Sequence, residues 1–395
     1  MFKHFFGRFR CFWQRDSGTI GVVHTNENNA DYIPDIFRPK GAGYSQSVVA
    51  NIDSRLGLQV SAELTTRLSA IFQFTTEQRY NNSYYPTTEW ANFKYQFTPD
   101  FSFRVGRLVQ PSFLFGESRK VAYTYPWVRP PTEVYGLVPV FHYDGVDIMH
   151  RMQLGERVHS LVLSYGNRFV ESPERFEGGR GRARYNFSAM STMDYGDFTF
   201  RVSYHTTRYA TAESTLFRAF RQFGPEGEAI AELYDVDGDR LYFGGFGFQY
   251  DPGKWFIMSE WGKVEYHSLL GNNTGWYISG GYRCGTVTPY VTFARLDYKN
   301  EKSDGLTVST FPPELQEAAE TLNHILNTEI LGVALREETS AIGFRWDFMR
   351  SVALKLQFES IRYRDGIPRV LGLPQPGLDS SGNVKIFSSS INFVF

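Results

Sequence analysis

Between Val352 and Phe358 the side chains alternate without a break. Val352, Leu354, Leu356 and Phe358 fall on one face, Lys355 and Gln357 on the other, and Glu359 follows. The preceding segment repeats the pattern, with Ile342, Phe344, Trp346 and Phe348 set against Gly343, Arg345 and Asp347, and only a tight turn at 349–351 separates the two. A period of two is the signature of a strand with unlike faces, and two such strands joined by a tight turn form a hairpin. Reading outward from this anchor, the same alternation predicts strands near 17–25, 46–60, 66–78, 88–97, 101–107, 144–154, 157–167 and 181–193. It continues near 198–209, 240–250, 254–266, 274–283, 286–298, 338–348, 351–362 and 384–395. The total is about 16, an even number, as a single-chain bacterial barrel requires.

The links between these segments alternate in length. Short ones at 98–100, 155–156, 195–197, 251–253 and 349–350 carry Pro, Asp and Gly, while long polar ones lie between them, up to 299–337. Short turns on one rim and long loops on the other are expected of a barrel that crosses a membrane. A β-sandwich would also alternate, but it predicts neither this asymmetry nor so many rings without a partner sheet. The 35 Phe, 24 Tyr and 7 Trp make up 17% of a chain whose mean hydropathy is negative, which fits rings sorted outward and polar groups inward. No apolar run is long enough for a membrane helix. Within two of the long loops, 312–327 and 212–223 have helical composition.

Charge excludes other classes. With 41 basic and 42 acidic residues there is no field for a nucleic-acid partner, and two cysteines far apart offer neither a disulfide framework nor a zinc site. The run Asp235, Val236, Asp237, Gly238 and Asp239 has calcium-like oxygen donors but no later bidentate Glu, so it reads as a solvated acidic loop. No cofactor is implied. Neither G-x-S-x-G nor H-E-x-x-H occurs, which weighs against an enzyme, an outer-membrane lipid or peptide hydrolase being the rival from another class. Residues 1–16 are basic and aromatic without an apolar stretch, an atypical N-terminal extension that implies a missing or mis-assigned signal. Retention inside the cell is the alternative. Residues 17–395 form a single barrel.

The C-terminus, Ser389, Ser390, Ile391, Asn392, Phe393, Val394 and Phe395, alternates back from a terminal aromatic and resembles the closing strand of Gram-negative outer-membrane porins. It matches in pattern, since the expected glycine and basic residue are absent. Ser17, Gly18, Thr19, Ile20, Gly21, Val22, Val23 and His24 resemble a porin first strand. Arg104, Val105, Gly106, Arg107 and Leu108, ahead of a long aromatic loop, resemble the strand that leads into the family's constriction. The resemblance implies an all-β, closed antiparallel transmembrane barrel with an inward-folded third long loop. It also implies an outer-membrane location, contact with outer-membrane lipid, a homotrimer, and passive diffusion of small hydrophilic solutes and ions. A substrate-selective channel is the nearer alternative. A plug domain has no room ahead of Ser17.

The constriction is expected in the loop 108–143. Its Pro111, Phe113, Phe115, Tyr123, Tyr125, Pro126, Trp127, Pro130 and Pro131 give stiffness and apolar bulk that would be costly in water. Folding inward would bring Glu117, Arg119, Lys120, Arg129 and Glu133 to the pore. Strand alternation sends Arg55, Lys94, Arg104, Arg184, Arg201 and Arg345 to the lumen, with Asp53, Asp147, Glu260 and Asp347. The pore-lining set is therefore expected to be Arg55, Lys94, Arg104, Glu117, Arg119, Lys120, Arg201 and Arg345. Bases slightly outnumber acids, which predicts weak anion preference.

Overall fold

The computed structural model describes residues 11–395 except 36, 139–140, 172–179, 211–213, 267, 269–270, 300–302 and 333–335. Sixteen long strands follow one another among the described residues. The first eight are β1 (Cys11–Thr25), β2 (Arg55–Glu63), β3 (Leu68–Glu77), β4 (Thr87–Thr98), β5 (Phe101–Val109), β6 (His142–Leu154), β7 (Arg157–Glu171) and β8 (Arg180–Tyr195). The second eight are β9 (Phe198–Ala210), β10 (Arg240–Tyr250), β11 (Trp255–Glu265), β12 (Asn272–Tyr282), β13 (Val287–Lys299), β14 (Arg336–Met349), β15 (Val352–Arg364) and β16 (Gly382–Val394). Each pairs antiparallel with its neighbours in the chain, and β1 pairs with β16 from Ser17↔Val394 to Thr25↔Ile386. The sheet therefore closes on itself and has no free edge, the arrangement that a membrane demands of strands.

Burial runs opposite to that of a water-soluble protein. On β14, Ile342 is 59% exposed on the outside, while Lys355 across the hairpin is 0% exposed on the inside. Phe72, Phe93, Val202, Trp261 and Phe293, from five other strands, are also exposed outward. An outer belt of apolar residues around a polar interior is a lipid-facing barrel. The long links 26–54, 110–141, 211–239, 300–335 and 365–381 leave the same rim, and the other rim carries links of two to four residues such as 155–156 and 251–254.

The sixteen expected strands are all present, with three local differences. The strand expected at 46–60 starts at Arg55, apart from a two-residue pairing of Val48 and Val49 with β1, because the preceding loop turns inward and buries Ile52 and Asp53. β1 begins at Cys11, since Cys11–Thr19 pairs with β2. Arg184 points outward. Pairing of β8 with β9 slips between Arg184 and Phe187, where Tyr185 takes a φ of 53°, and this bulge puts Ala183 inside in its place.

The long loops form two packed bodies besides 110–141. Asp31–Tyr32, Ala42–Gly43 and Leu371–Gly372 make a three-stranded sheet that joins the first and last long loops and packs on the inward residues Val23, Ile361, Tyr363, Val384 and Ile386. The helical composition predicted in two loops is realised, with two α-helices in addition among the described residues. The short turn α1 (Thr132–Tyr135) lies in the third loop, and α2 (Thr215–Arg221), α3 (Gly224–Tyr234) and α4 (Pro313–His324) lie in the fifth and seventh. The side chain of Ser214 caps α2 by accepting from the Leu216 N–H at 3.2 Å, and Phe217, Phe220, Ile230, Ala319 and Leu326 bring the three helices together.

Candidate functional site, the loop inside the barrel

The loop 110–141 leaves β5 and returns at β6, and four of its rings are buried within the lumen. Phe113, Tyr125, Trp127 and Tyr135 cluster with the inward wall residues Phe243, Phe256, Tyr277 and Tyr290. Trp127 meets Tyr277 edge-on, with centroids 5.5 Å apart and planes at 87°. Space for this body comes from glycines on the inner wall. A Cβ on Gly275 would lie 2.1 Å from the Glu133 carbonyl oxygen, and one on Gly247 would lie 2.9 Å from Cγ of Leu114. Gly262 stands beside Gly275 in register.

Polar groups of the wall then fix the loop backbone. Lys355 donates from Nζ to three carbonyls, Ala122 at 2.6 Å, Tyr125 at 2.7 Å and Trp127 at 2.7 Å. Gln357 accepts at Oε1 from the Val128 N–H at 3.0 Å and from the Tyr290 hydroxyl at 2.8 Å. The Trp127 indole donates to Ser279 and Thr292, each at 3.0 Å. Glu260 accepts from the Leu114 N–H at 2.6 Å, and Arg345 donates to the Tyr123 carbonyl at 2.6 Å. Glu133 is buried and accepts from Thr339. These anchors come from β11, β12, β13, β14 and β15, so the loop is held along a broad arc of wall.

Arg129 is the deepest anchor. It forms a two-pronged pair with Asp53, with Nη2 to Oδ2 at 2.7 Å, and reaches Glu359 at 2.6 Å, the Tyr32 hydroxyl at 3.2 Å and Ser388 at 2.7 Å. Burial alone would lower the pKa of this guanidinium, but Asp53, Tyr32 and Glu359 outweigh it and hold it well above its ordinary value. Arg129 and Glu133, expected at the pore, are thus structural anchors.

Of the expected pore-lining residues, six are tied to partners. Arg104 and Asp147 form a two-pronged pair with Nη2 to Oδ2 at 2.6 Å, and Lys120 pairs with Glu77. Arg201 donates to the carbonyls of Phe113 and Leu114, Arg345 also pairs with Asp347, and Arg55 reaches the Arg119 carbonyl at 3.5 Å. Arg119 donates to the Tyr135 carbonyl at 3.1 Å and lies over the Phe141 ring, 3.7 Å from its centroid. Lys94 and Glu117 differ. Neither has an ion pair among the described residues; Glu117 is exposed and Lys94 half-buried. Lys94 stands beside Arg104 in register, and Glu117 is close enough to act on Arg104 by its charge. The structure therefore brings Glu117, Lys94 and Arg104 to one place and uses Arg55, Arg201 and Arg345 to hold the loop.

Sequence reasoning missed the anchoring roles of Lys355, Gln357 and Glu359. Alternation put them on the inner face, but nothing in a sequence marks their partners, which are backbone groups and an arginine more than two hundred residues away. The inner glycines were the available signal for something packed against that wall. In the run 235–239, Asp239 accepts from the Ser268 N–H at 3.0 Å and Asp235 pairs with Arg221. Among the described residues no group of three or more His, Cys, Asp or Glu is arranged to hold a metal ion.

No protein-family model matches this sequence. No curated protein matches it either. Solved structures do match over almost the whole chain. OmpT of Vibrio cholerae in its trimer form shares 8% identity at a TM-score of 0.54, covering 98% of this chain and 99% of that one. The outer-membrane channel DcaP of Acinetobacter baumannii shares 9% identity at 0.54, covering 97% of each chain. The anion-selective porin from Comamonas acidovorans shares 10% identity at 0.54, covering 98% of this chain and 99% of that one. The fold is that of the outer-membrane porin barrels.

Proposed function

We propose that this chain is an outer-membrane channel through which small hydrophilic solutes and ions diffuse passively, that it works as a homotrimer, and that it is not an enzyme. The observation that carries the reading is the loop 110–141, fastened inside a lipid-facing barrel, with Glu117, which has no ion pair among the described residues, near enough to Arg104 to act on it by its charge. A barrel that only anchored or displayed something would not need a polar interior crossed by a loop held through buried hydrogen bonds. An acid on the loop and bases on the wall set a field across the lumen. Such a field orients dipolar solutes and biases ion choice without tight binding. Barrels of the same fold, one described as an outer-membrane protein in trimer form and another as an anion-selective porin, support the assignment.

Arg104 and Arg345 on the wall and Lys120 on the loop are neutralised by Asp147, Asp347 and Glu77, so selectivity falls to Lys94, Glu117 and the arginines that bond only to carbonyls, Arg55 and Arg201, and is a weak preference for anions. Planar-bilayer recording in a salt gradient tests this. Discrete conductance steps with a reversal potential close to zero are expected. Absence of steps from a folded barrel, together with release of fatty acid or peptide in a hydrolysis assay, would overturn it in favour of an enzyme.

A further inference from the structure

Arg184, Arg208 and Arg240 stand side by side on the outside of the barrel. Pairing of β8 with β9 sets Arg184 directly against Arg208, and pairing of β9 with β10 sets Arg208 against Arg240. All three are exposed, whereas their chain neighbours Ala183, Thr207, Tyr209 and Leu241 are buried on the inner side. Each lies at the long-loop end of its strand. Adjacent strands run about 4.8 Å apart, so three like charges are held in a row at a spacing where they repel. Arg182 adds a fourth base two residues along β8, over the exposed ring of Phe169 and 5.3 Å from its centroid.

Among the described residues none of the three aligned arginines meets a carboxylate, and Arg208 donates from Nε to the Gly238 carbonyl at 2.9 Å. The rest of this rim is built differently. On the same outer face Lys263 pairs with Glu265, Arg295 with Asp297 and Glu338, and Arg336 with Asp297. The acids nearest to the row in sequence are already engaged, since Asp235 pairs with Arg221 and Asp239 accepts from the N–H groups of Ser268 and Arg240. Toward the short-turn rim, the outward side chains Phe187, Val202, Tyr204 and Phe246 of the same three strands are exposed. The row therefore stands where the apolar belt ends, and it faces away from the lumen.

We infer that Arg184, Arg208 and Arg240 form a docking surface for the phosphate headgroups of anionic lipid in the leaflet on the long-loop side. A guanidinium edge donates two parallel N–H bonds to phosphate oxygens, and a shared anion removes the repulsion along the row. The apolar strip beneath the row selects lipid over a free anion, because acyl chains of the bound molecule lie against it while the headgroup meets the arginines. The inference does not depend on whether the barrel conducts.

The test uses the full chain in neutral detergent, titrated with phosphatidylglycerol or phosphatidylcholine and followed by native mass spectrometry. Phosphatidylglycerol should bind more tightly. Arg184→Gln, Arg208→Gln and Arg240→Gln should each weaken it about five-fold and the triple variant about a hundred-fold, whereas Arg157→Gln at the other rim should change nothing. Without lipid the triple variant should be at least as stable as the wild type, because repulsion along the row is gone. The unfolding midpoint of the wild type should also rise with phosphatidylglycerol and not with phosphatidylcholine, a reading that needs no variant to fold. Equal affinity of wild type and triple variant, or an equal loss in Arg157→Gln, overturns the inference. Inorganic phosphate that raises the midpoint as much as phosphatidylglycerol overturns the lipid assignment in favour of a free anion. Dissociation of the oligomer by the triple substitution in lipid-free detergent overturns it in favour of a contact with a second copy.

Discussion

Nζ of Lys355 donates to the backbone carbonyl of Trp127 at 2.7 Å, although Lys355 sits inside a membrane strand and Trp127 lies 228 residues earlier in a loop. With Ala122 and Tyr125, three carbonyls share one ammonium, which also lies over the Tyr125 ring, 4.7 Å from its centroid. Removing it as Lys355→Met should lower stability by about 3 kcal/mol, since each carbonyl left unpaired costs about 1–3 kcal/mol before water enters. The barrel should still form and the loop should loosen, so single-channel traces should become noisier. Unchanged urea midpoints and quiet traces would show that the loop is held by its rings alone.

Position 356 faces lipid and position 357 faces the loop. Leu356→Arg should cost roughly 2–4 kcal/mol near mid-membrane and leave the conductance of inserted channels unaltered. The plain alternation reading would let Gln357 tolerate Arg, but Gln357 accepts from Val128 and Tyr290 and has no space to spare, so Gln357→Arg should both destabilise and change conductance. A Gln357→Arg channel with wild-type conductance would separate the loop from this wall.

Free and braced charges should respond differently to neutralisation. Glu117→Gln should move the reversal potential toward anions and Lys94→Gln toward cations, both with stability nearly unchanged because neither charge is paired. Arg104→Gln should cost about 3–5 kcal/mol, because it leaves Asp147 buried without its partner. Equal stability of all three variants in a refolding titration would refute this division.

Gly275→Ala places a methyl 2.1 Å from the Glu133 carbonyl oxygen, which is backbone and has nowhere to retreat. Overpacking of this kind typically costs 1–3 kcal/mol. The change should push α1 off the wall and alter conductance, whereas Gly155→Ala in a short turn, with nothing within 4 Å, should leave conductance alone and pay only for its positive φ of 65°. Wild-type conductance of the Gly275 variant would mean that α1 does not bound the open path.

Strands were legible because lipid on one side and a polar lumen on the other write a period of two into every crossing, and the turn residues of the short rim mark where each crossing ends. Parity fails only where a residue is inserted, so Arg184 was assigned to the wrong face by one bulge at Tyr185. The inward course of the third loop was legible from its rings and prolines. Its partners were not, because Lys355 and Arg201 bond to carbonyls that every residue possesses. For the same reason the expected bases other than Arg184 lie on the inner face, yet most are fasteners rather than free charges.

The hydroxyl of Thr19 donates to Asn392 at 3.1 Å across 373 residues of chain, and Asp16 and Phe395 exchange backbone hydrogen bonds at 2.9 and 2.8 Å. The seam that closes the cylinder thus joins the first strand to the last, the longest-range contact such a chain can make. Its entropic cost must be met before the final ladder of hydrogen bonds forms, so assembly should be slow and governed by this one event. Until then the growing sheet carries two unpaired edges. Shortening the last strand should therefore slow closure and promote aggregation well before it weakens the finished barrel.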